Sequence, residues 1–155
     1  RHPSRMDCAP AGGQGGGCEL IRLIPAAGKI TTETLWKTEL MDNYHGGIIY
    51  HEGTFYGSGD RSRGWYAIDL KTGSQRWKVP GGMGSLTYAD GMLYLLDEKG
   101  TLRLVKATPE SYQVAGELKV PRGSSSPYWA HPVVCGGKLY VRHGDKVFVY
   151  DVRKP

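Results

Sequence analysis

A four-residue pattern recurs along this chain of 155 residues and constrains its fold more than any other feature. It consists of a Gly, a variable residue, an apolar residue and a Tyr. The three copies are Gly53-Thr-Phe-Tyr56, Gly91-Met-Leu-Tyr94 and Gly137-Lys-Leu-Tyr140, with tyrosines 38 and 46 residues apart. Repeats of roughly 40–50 residues are typical of stacked structural units, and each unit buries its apolar faces against its neighbours.

Short alternating apolar runs surround each copy and predict four antiparallel strands per repeat. In the middle copy these runs are Ser85–Tyr88, Gly91–Tyr94, Thr101–Val105 and Tyr112–Leu118. Turn sequences such as Ala89-Asp90-Gly91 place Gly where a hairpin requires positive φ. Helical periodicity is nearly absent. The sequence therefore predicts an all-β fold, a β-propeller of four-stranded antiparallel blades.

The predicted blades differ in completeness. They are a half blade, two whole blades and an incomplete blade, at residues 18–40, 44–80, 82–121 and 129–155. Trp36 lies 41 residues before Trp77, which assigns the first segment to the end of an earlier blade. Because rings contain about four to eight blades, the roughly three and a half blades in 18–155 predict a partial ring or half of a seven- or eight-bladed ring.

An incomplete ring would expose an apolar blade face. The sequence therefore predicts one of two coverings, a second copy of the chain in a homodimer that closes the ring, or the remaining blades of a longer chain. The first residue, Arg1 rather than Met, favours the longer chain.

Residues 1–17 differ in composition from the rest and predict a flexible Gly/Pro-rich lead. The three cysteines, Cys8, Cys18 and Cys135, include no Cys-x-x-Cys pair, so a structural zinc site has no support. A Cys8–Cys18 disulfide is compatible with an oxidising compartment. Cys135 is expected to pack as a small apolar residue at a strand end.

The basic balance of the chain does not indicate nucleic-acid binding. The net charge is +5, but the clusters Arg61-Ser-Arg63 and Arg153-Lys154 are small and the other charges are scattered. A dedicated binder would concentrate Lys and Arg on one element, so a solvated surface is the better interpretation. No apolar run is long enough to span a membrane, and no signal peptide is present in this chain.

One stretch carries a more specific signal. It is Ala67-x-Asp69-x-x-Thr72-Gly73-x-x-x-Trp77, between two alternating apolar runs. Small Ala67 allows close approach of a neighbouring strand, and Asp69 and Thr72 can hydrogen-bond the turn backbone. Gly73 supplies the positive φ, and Trp77 is expected to pack against the next blade.

This stretch resembles the tryptophan-docking motif of quinoprotein-type propellers, the pyrroloquinoline quinone (PQQ) repeat family. That family includes PQQ alcohol dehydrogenases and cofactor-free relatives, among them the outer-membrane assembly lipoprotein propeller. The chain also resembles the C-terminal half of PQQ-like propeller proteins of planctomycete-type bacteria. This second likeness rests on Tyr44-His-Gly-Gly47, on residues 84–94 and on Trp129-Ala-His-Pro132.

The candidate channel or top-face site consists of residues that precede the innermost strands. These are Asn43, Tyr44, His45, Tyr128, Trp129 and His131. The two histidines could be ligands, acid/base groups or hydrogen-bonded structural residues. Tyr128 and Trp129 could form a stacking surface for a sugar, cofactor or peptide, or pack beneath their loop.

The resemblance implies two functions. In the dehydrogenases of the family, carboxylates and amides hold a metal ion and the quinone, and adjacent cysteines cover it. This chain has no adjacent cysteine pair, and its carboxylates lie mostly in turns. The sequence therefore assigns no catalytic residue, no metal ligand and no cofactor-binding residue. It predicts a non-catalytic scaffold for a protein or small-molecule ligand, in the periplasm or outside the cell.

Two alternatives remain open. In one, the chain is part of a PQQ-dependent dehydrogenase whose calcium and quinone ligands lie in missing blades. In the other, an exposed blade edge takes up an extended peptide as an additional strand.

Overall fold

The computed structural model describes residues 4–9, 16–124 and 126–153, and within these ranges every regular element is a β-strand. Four antiparallel sheets follow one another along the chain. Sheet I contains β1 (Ser4–Ala9), β2 (Gly17–Ala26) and β3 (Lys29–Thr38), and sheet II contains β4 (Ile48–His51), β5 (Thr54–Gly59), β6 (Gly64–Asp69) and β7 (Gln75–Pro80). Sheet III contains β8 (Gly84–Ala89), β9 (Met92–Asp97), β10 (Thr101–Lys106) and β11 (Val114–Lys119), and sheet IV contains β12 (Val133–Cys135), β13 (Lys138–His143) and β14 (Lys146–Asp151).

Each strand pairs with its sequence neighbour, so sheets II and III are complete four-stranded meanders. Among the described residues, sheet IV contains three strands. The arrangement is an open, partial β-propeller, and the predicted fold class is confirmed. The described part of the chain contains no helix with the length and hydropathy of a membrane crossing.

Sheet I differs from the predicted half blade of two strands. Strand β1 lies within residues 1–17, predicted as a flexible lead, and pairs with β2 from Ser4 opposite Arg22 to Ala9 opposite Gly17. The physical reason is that an unpaired β2 edge would leave a row of backbone donors and acceptors without partners. The rest of the lead, at 1–3 and 10–15, lies outside the described residues.

Cys18 is disulfide-bonded. The register of β1 and β2 places Cys8 directly opposite Cys18. The side chain of Cys8 lies outside the described residues, so the Cys8–Cys18 pairing stays a prediction. Cys135 is a free, exposed cysteine at the end of β12, and the expectation that it packs as a small apolar residue is therefore wrong. It is exposed because no further sheet covers that face of sheet IV among the described residues.

The hairpins between the first and second strands of sheets II, III and IV have two-residue turns. Both turn residues have positive φ in each case: Glu52 and Gly53, Asp90 and Gly91, Gly136 and Gly137. This backbone is the type I′ turn, whose twist matches that of the flanking strands. The Gly placed in these turns by the sequence pattern therefore closes three equivalent hairpins.

The core lies between sheets and not within any one of them. Sheets II and III enclose the largest aromatic cluster, with Tyr56, Trp65, Ala67 and Trp77 packed on Leu86, Leu93, Leu95 and Val105. Similar clusters fill the interfaces of sheets I with II and III with IV. All six residues of β6 are buried, because alternate side chains enter the cores on opposite faces of sheet II.

Two tryptophans, which we call the Trp anchors, join sheet I to sheet II and sheet II to sheet III. The indole Nε1 of Trp36 donates to the carbonyl oxygen of Leu70 at 2.7 Å, and that of Trp77 donates to Thr108 at 2.9 Å. Both tryptophans lie beside an equivalent β-bulge on the last strand of their sheet. The same position in sheet III is Gly116, so sheets III and IV are joined without a Trp anchor.

The turn between β6 and β7 receives the first Trp anchor. Asp69 Oδ1 accepts hydrogen bonds from Thr72, through the backbone N–H at 2.9 Å and the hydroxyl at 3.0 Å, and Oδ2 accepts from Arg76. Burial opposes ionisation of Asp69, but the bonds from Arg76 and Thr72 outweigh it and lower the pKa of this carboxyl. Gly73 has φ +70°, and a Cβ there would lie 2.7 Å from the Trp36 ring.

We expect Gly73→Ala to be more destabilising than Gly53→Ala. Both positions have positive φ, which costs an Ala about 1–2 kcal/mol, but only Gly73 is covered by Trp36 whereas Gly53 faces open space. The clash should add about 1–3 kcal/mol. Urea unfolding of the two variants measures the difference. If the two variants lose equal unfolding free energy, or if their difference is unchanged in a Trp36→Ala background, Trp36 does not constrain this turn.

Candidate functional site

The connections between sheets converge at one end of the molecule, which we call the upper end. Antiparallel pairing places residues 39–47, 81–83, 120–124 and 126–132 there, together with the hairpins between the second and third strands. We call the described residues 120–124 and 126–132 the 120–132 connection. Strand β8 contacts both β4 and β12, so the first strands of sheets II, III and IV lie side by side. Side chains that are far apart in sequence therefore meet at the upper end.

Tyr44, His45 and Trp129 form an exposed aromatic cluster at the upper end. The ring centroids of Tyr44 and His45 are 5.9 Å apart, edge to face, and those of His45 and Trp129 are 5.3 Å apart. Tyr44 and Trp129 are 59% and 52% exposed, although both are large aromatic side chains. Two connections that enter different sheets supply the cluster.

Polar contacts hold the aromatic cluster in position. Trp129 Nε1 donates to Glu98 Oε1 at 2.7 Å, and Glu98 Oε2 lies 3.8 Å from the Arg63 guanidinium. His131 Nε2 lies 2.9 Å from the carbonyl oxygen of His45 and must donate, since a carbonyl only accepts. These bonds connect the 120–132 connection to sheet II and to the β9–β10 hairpin.

Two of the predicted site residues lie apart from the cluster, and their side chains donate hydrogen bonds to backbone carbonyl oxygens. Asn43 is buried, and its amide donates to the carbonyl oxygens of Gly47 at 3.0 Å and Ser58 at 3.1 Å. Tyr128 is also buried, with its ring stacked on that of His143 at 3.6 Å. The structure therefore brings Tyr44, His45 and Trp129 together and places His131 beside them. Asn43 and Tyr128 instead stabilise the connections from within.

His45 occupies an unusual position within the cluster. Both of its ring nitrogens are buried and have no hydrogen-bond partner among the described residues. Burial lowers the pKa of His45, although the nearby Glu98 carboxylate partly opposes this effect. The ring is therefore neutral at pH 7 and contributes an uncharged, largely aromatic surface.

Carboxylates near the upper end are bonded to turns. Asp42 accepts from the Arg61 N–H at 2.8 Å and the Ser62 hydroxyl at 2.9 Å, and Asp97 accepts from the Thr101 N–H at 2.9 Å. Burial opposes ionisation of Asp42, but the hydrogen bonds outweigh it and lower its pKa. Within the described ranges, no group of three or more His, Cys, Asp and Glu residues is arranged to hold a metal ion.

Sequence reasoning missed a groove of about 730 Å³ between sheets II and III. Its polar lining consists mainly of Arg63, Asp97, Glu98, Lys99 and Arg103. It also missed the role of Glu98, whose only signal is its place in a hairpin between the second and third strands. No local pattern connects Glu98 with Trp129, which is 31 residues away.

Solved structures show what this fold is similar to. BamB from Moraxella catarrhalis superposes with a TM-score of 0.65 at 15% identity over 92% of this chain and 44% of that protein. Sqt1 from Saccharomyces cerevisiae gives 0.65 at 11% identity over 96% and 44%. The quinohemoprotein alcohol dehydrogenase ADHIIG from Pseudomonas putida HK5 gives 0.56 at 20% identity over 68% and 18%.

These likenesses confirm the predicted resemblance to PQQ-like propellers as a likeness of fold. The chain spans less than half the length of each of these three proteins. Comparison with protein-family models gives no match, and neither does comparison with curated protein sequences.

We expect Glu98→Ala to release the Trp129 side chain. The indole N–H would lose its acceptor, and its hydrogen exchange should become about tenfold faster, the size expected for one charge-assisted bond. NMR of the four indole N–H signals measures this, since the chain has four tryptophans. Glu110→Ala, at an exposed carboxylate, is the control. Unchanged Trp129 exchange in Glu98→Ala would mean that Glu98 does not hold the ring.

Proposed function

We propose that this chain is a non-catalytic portion of a PQQ-like propeller that presents the aromatic cluster to a ligand. The observation that carries this proposal is the exposure of Tyr44 and Trp129 in a cluster fixed by Glu98 and His131. Aromatic side chains in recognition surfaces combine a large apolar area with few rotatable bonds. An extended peptide of a partner protein is the ligand class best suited to such an open surface.

The hydrogen bonds of the nearby carboxylates favour ligand presentation over catalysis. A general base needs an accessible, unshared atom within reach of its substrate. Here Asp42 and Asp97 cap turns, and Glu98 binds Trp129 and faces Arg63. These three acids therefore stabilise loops and the Trp129 ring.

The alternative function is a part of a PQQ-dependent dehydrogenase. It is suggested by the likeness of fold to a quinohemoprotein alcohol dehydrogenase. The donor set at the upper end does not fit calcium and the quinone, because the Asn43 amide is buried on two carbonyl oxygens and the Asp42 carboxylate is bonded to Arg61 and Ser62. Under this alternative the metal and quinone ligands would come from other blades.

A periplasmic or extracellular location is part of the proposal. Cys18 is disulfide-bonded, and structural disulfides persist mainly in oxidising compartments. Under this proposal the Cys18 disulfide would persist, and stabilise the fold around β2, outside the reducing cytosol.

The ligand proposal predicts which substitutions abolish peptide binding. Peptides selected from a random display library on the full chain should bind at least about tenfold more weakly to Tyr44→Ala and Trp129→Ala, the loss typical of a hot-spot aromatic. Tyr50→Ala is a matched control, because Tyr50 is 58% exposed but lies outside the aromatic cluster. Fluorescence anisotropy of labelled peptides measures the affinities.

Two outcomes would contradict this proposal. Selected peptides that lose affinity equally with Tyr50→Ala would place the binding surface elsewhere. Absorbance of bound quinone after PQQ and calcium are added to the chain would support the dehydrogenase instead.

The outer face of sheet IV suggests a further partner. Its positions Val133, Val147 and Val149 are 50–59% exposed. In sheet II the residues at the last two of these positions, Trp65 and Ala67, are buried against sheet III. We propose that another propeller blade covers this face, supplied by a second copy of the chain.

We expect light scattering after gel filtration to give a discrete dimer. Val149→Lys should convert it to a monomer by placing a charge in the interface, whereas Val114→Lys, at a 50% exposed position of sheet III, should not. A wild-type monomer that binds a hydrophobic dye would rule out the second copy and assign the covering blade to a longer chain.

A further inference from the structure

The interface of sheets III and IV is joined differently from the other two. Gly116 occupies the place of the Trp anchors, and nothing lies within 4 Å of its missing side chain. The connection at 120–132 crosses the upper end instead and inserts Tyr128 between the two sheets. The aromatic cluster therefore depends on a connection that is attached to sheets III and IV through Tyr128 and its immediate contacts.

Tyr128 and His143 form the centre of that attachment. Their rings are stacked at 3.6 Å with planes 11° apart, and both side chains are buried. The Tyr128 hydroxyl donates to the carbonyl oxygens of Val120 at 3.1 Å and Pro121 at 3.2 Å. On its other side, Tyr128 covers Gly100, where a Cβ would lie 2.5 Å from the ring.

The hydrogen bonds of His143 define its protonation state. Nδ1 lies 2.8 Å from the backbone nitrogen of Gly123 and 3.3 Å from that of Ser124, and both N–H groups donate to it. Nε2 lies 2.5 Å from the carbonyl oxygen of Ser126 and must donate. The ring is therefore the neutral tautomer with its single proton on Nε2.

We propose that His143 is a pH-sensitive latch that holds the 120–132 connection, and with it the aromatic cluster, only while its ring is neutral. Protonation places a hydrogen on Nδ1, which then faces two N–H donors and can accept neither. Two half-buried backbone donors lose their acceptor at once, and a donor shielded from water without a partner is costly. The connection then lifts from sheet IV and carries Trp129 and His131 away from His45.

Several charged groups lie on the elements around His143. They are Arg122 on the connection, Asp145 and Lys146 on the hairpin of His143, and Glu98 and Lys99 on the neighbouring hairpin of sheet III. Among the described residues, no carboxylate forms an ion pair with His143.

The test is hydrogen exchange of the Gly123 and Ser124 amides, followed by NMR in the full chain at pH 7.5 and pH 5. After correction for intrinsic rates, we expect their protection to fall about tenfold or more at the lower pH. The Leu70 amide, bonded to Gly53 in sheet II, is the internal control and should keep its protection. Constant protection of Gly123 between the two pH values would overturn the proposal.

Two variants assign the effect to His143. His143→Asn keeps an acceptor near the position of Nδ1 but does not titrate, so the Gly123 protection should become independent of pH. His51→Asn, at the end of β4 away from the upper end, should retain the wild-type change. A pH-dependent fall that survives in His143→Asn would assign the effect to another group and overturn the proposal.

The wild-type protein gives an independent readout if His143→Asn does not fold. The ring nitrogens of His143 and the amide of Gly123 should titrate with the same midpoint, and different midpoints would overturn the latch. The effect on ligand display rests on the proposed function, but these measurements need no ligand. Failure of peptide binding would therefore leave the result on the latch intact.

Discussion

Face-to-face packing of apolar sheet surfaces is the interaction on which this structure depends. Each of the three interfaces contains its own core, and β6 is buried along its whole length because it contributes to two of them. The hydrophobic effect is roughly proportional to the area removed from water, so no sheet has a sufficient core alone. The position of every loop at the upper end follows from how these faces stack.

The ends of the interfaces are secured by different chemistry. Trp36 and Trp77 combine a buried ring with one hydrogen bond to the next sheet, and neither contact involves a titratable group. The third interface substitutes Tyr128 and His143 for a tryptophan. Trp129, an exposed aromatic residue of the candidate site, lies on the connection that is attached through Tyr128 and His143 instead of a Trp anchor.

Much of the fold was predictable because its determinants are local or periodic. Alternating apolar residues predicted the strands of sheets II and III, and Gly in the hairpins predicted the positive φ angles observed at Gly53 and Gly91. Strand β1 was not predictable, since the unpaired edge of β2 that it covers exists only in the folded sheet. The Glu98–Trp129 bond and the inward orientation of Asn43 were missed for the same reason.

The sequence by itself determined that this protein is a stack of antiparallel sheets with Gly-based turns. Those features depend on side-chain alternation and backbone sterics within a few residues. Only the tertiary structure decided that Tyr44, His45 and Trp129 share one surface while Tyr128, the immediate neighbour of Trp129, is buried on His143. Contacts between residues more than 80 positions apart depend on how the sheets stack, and short-range sequence patterns do not specify that geometry.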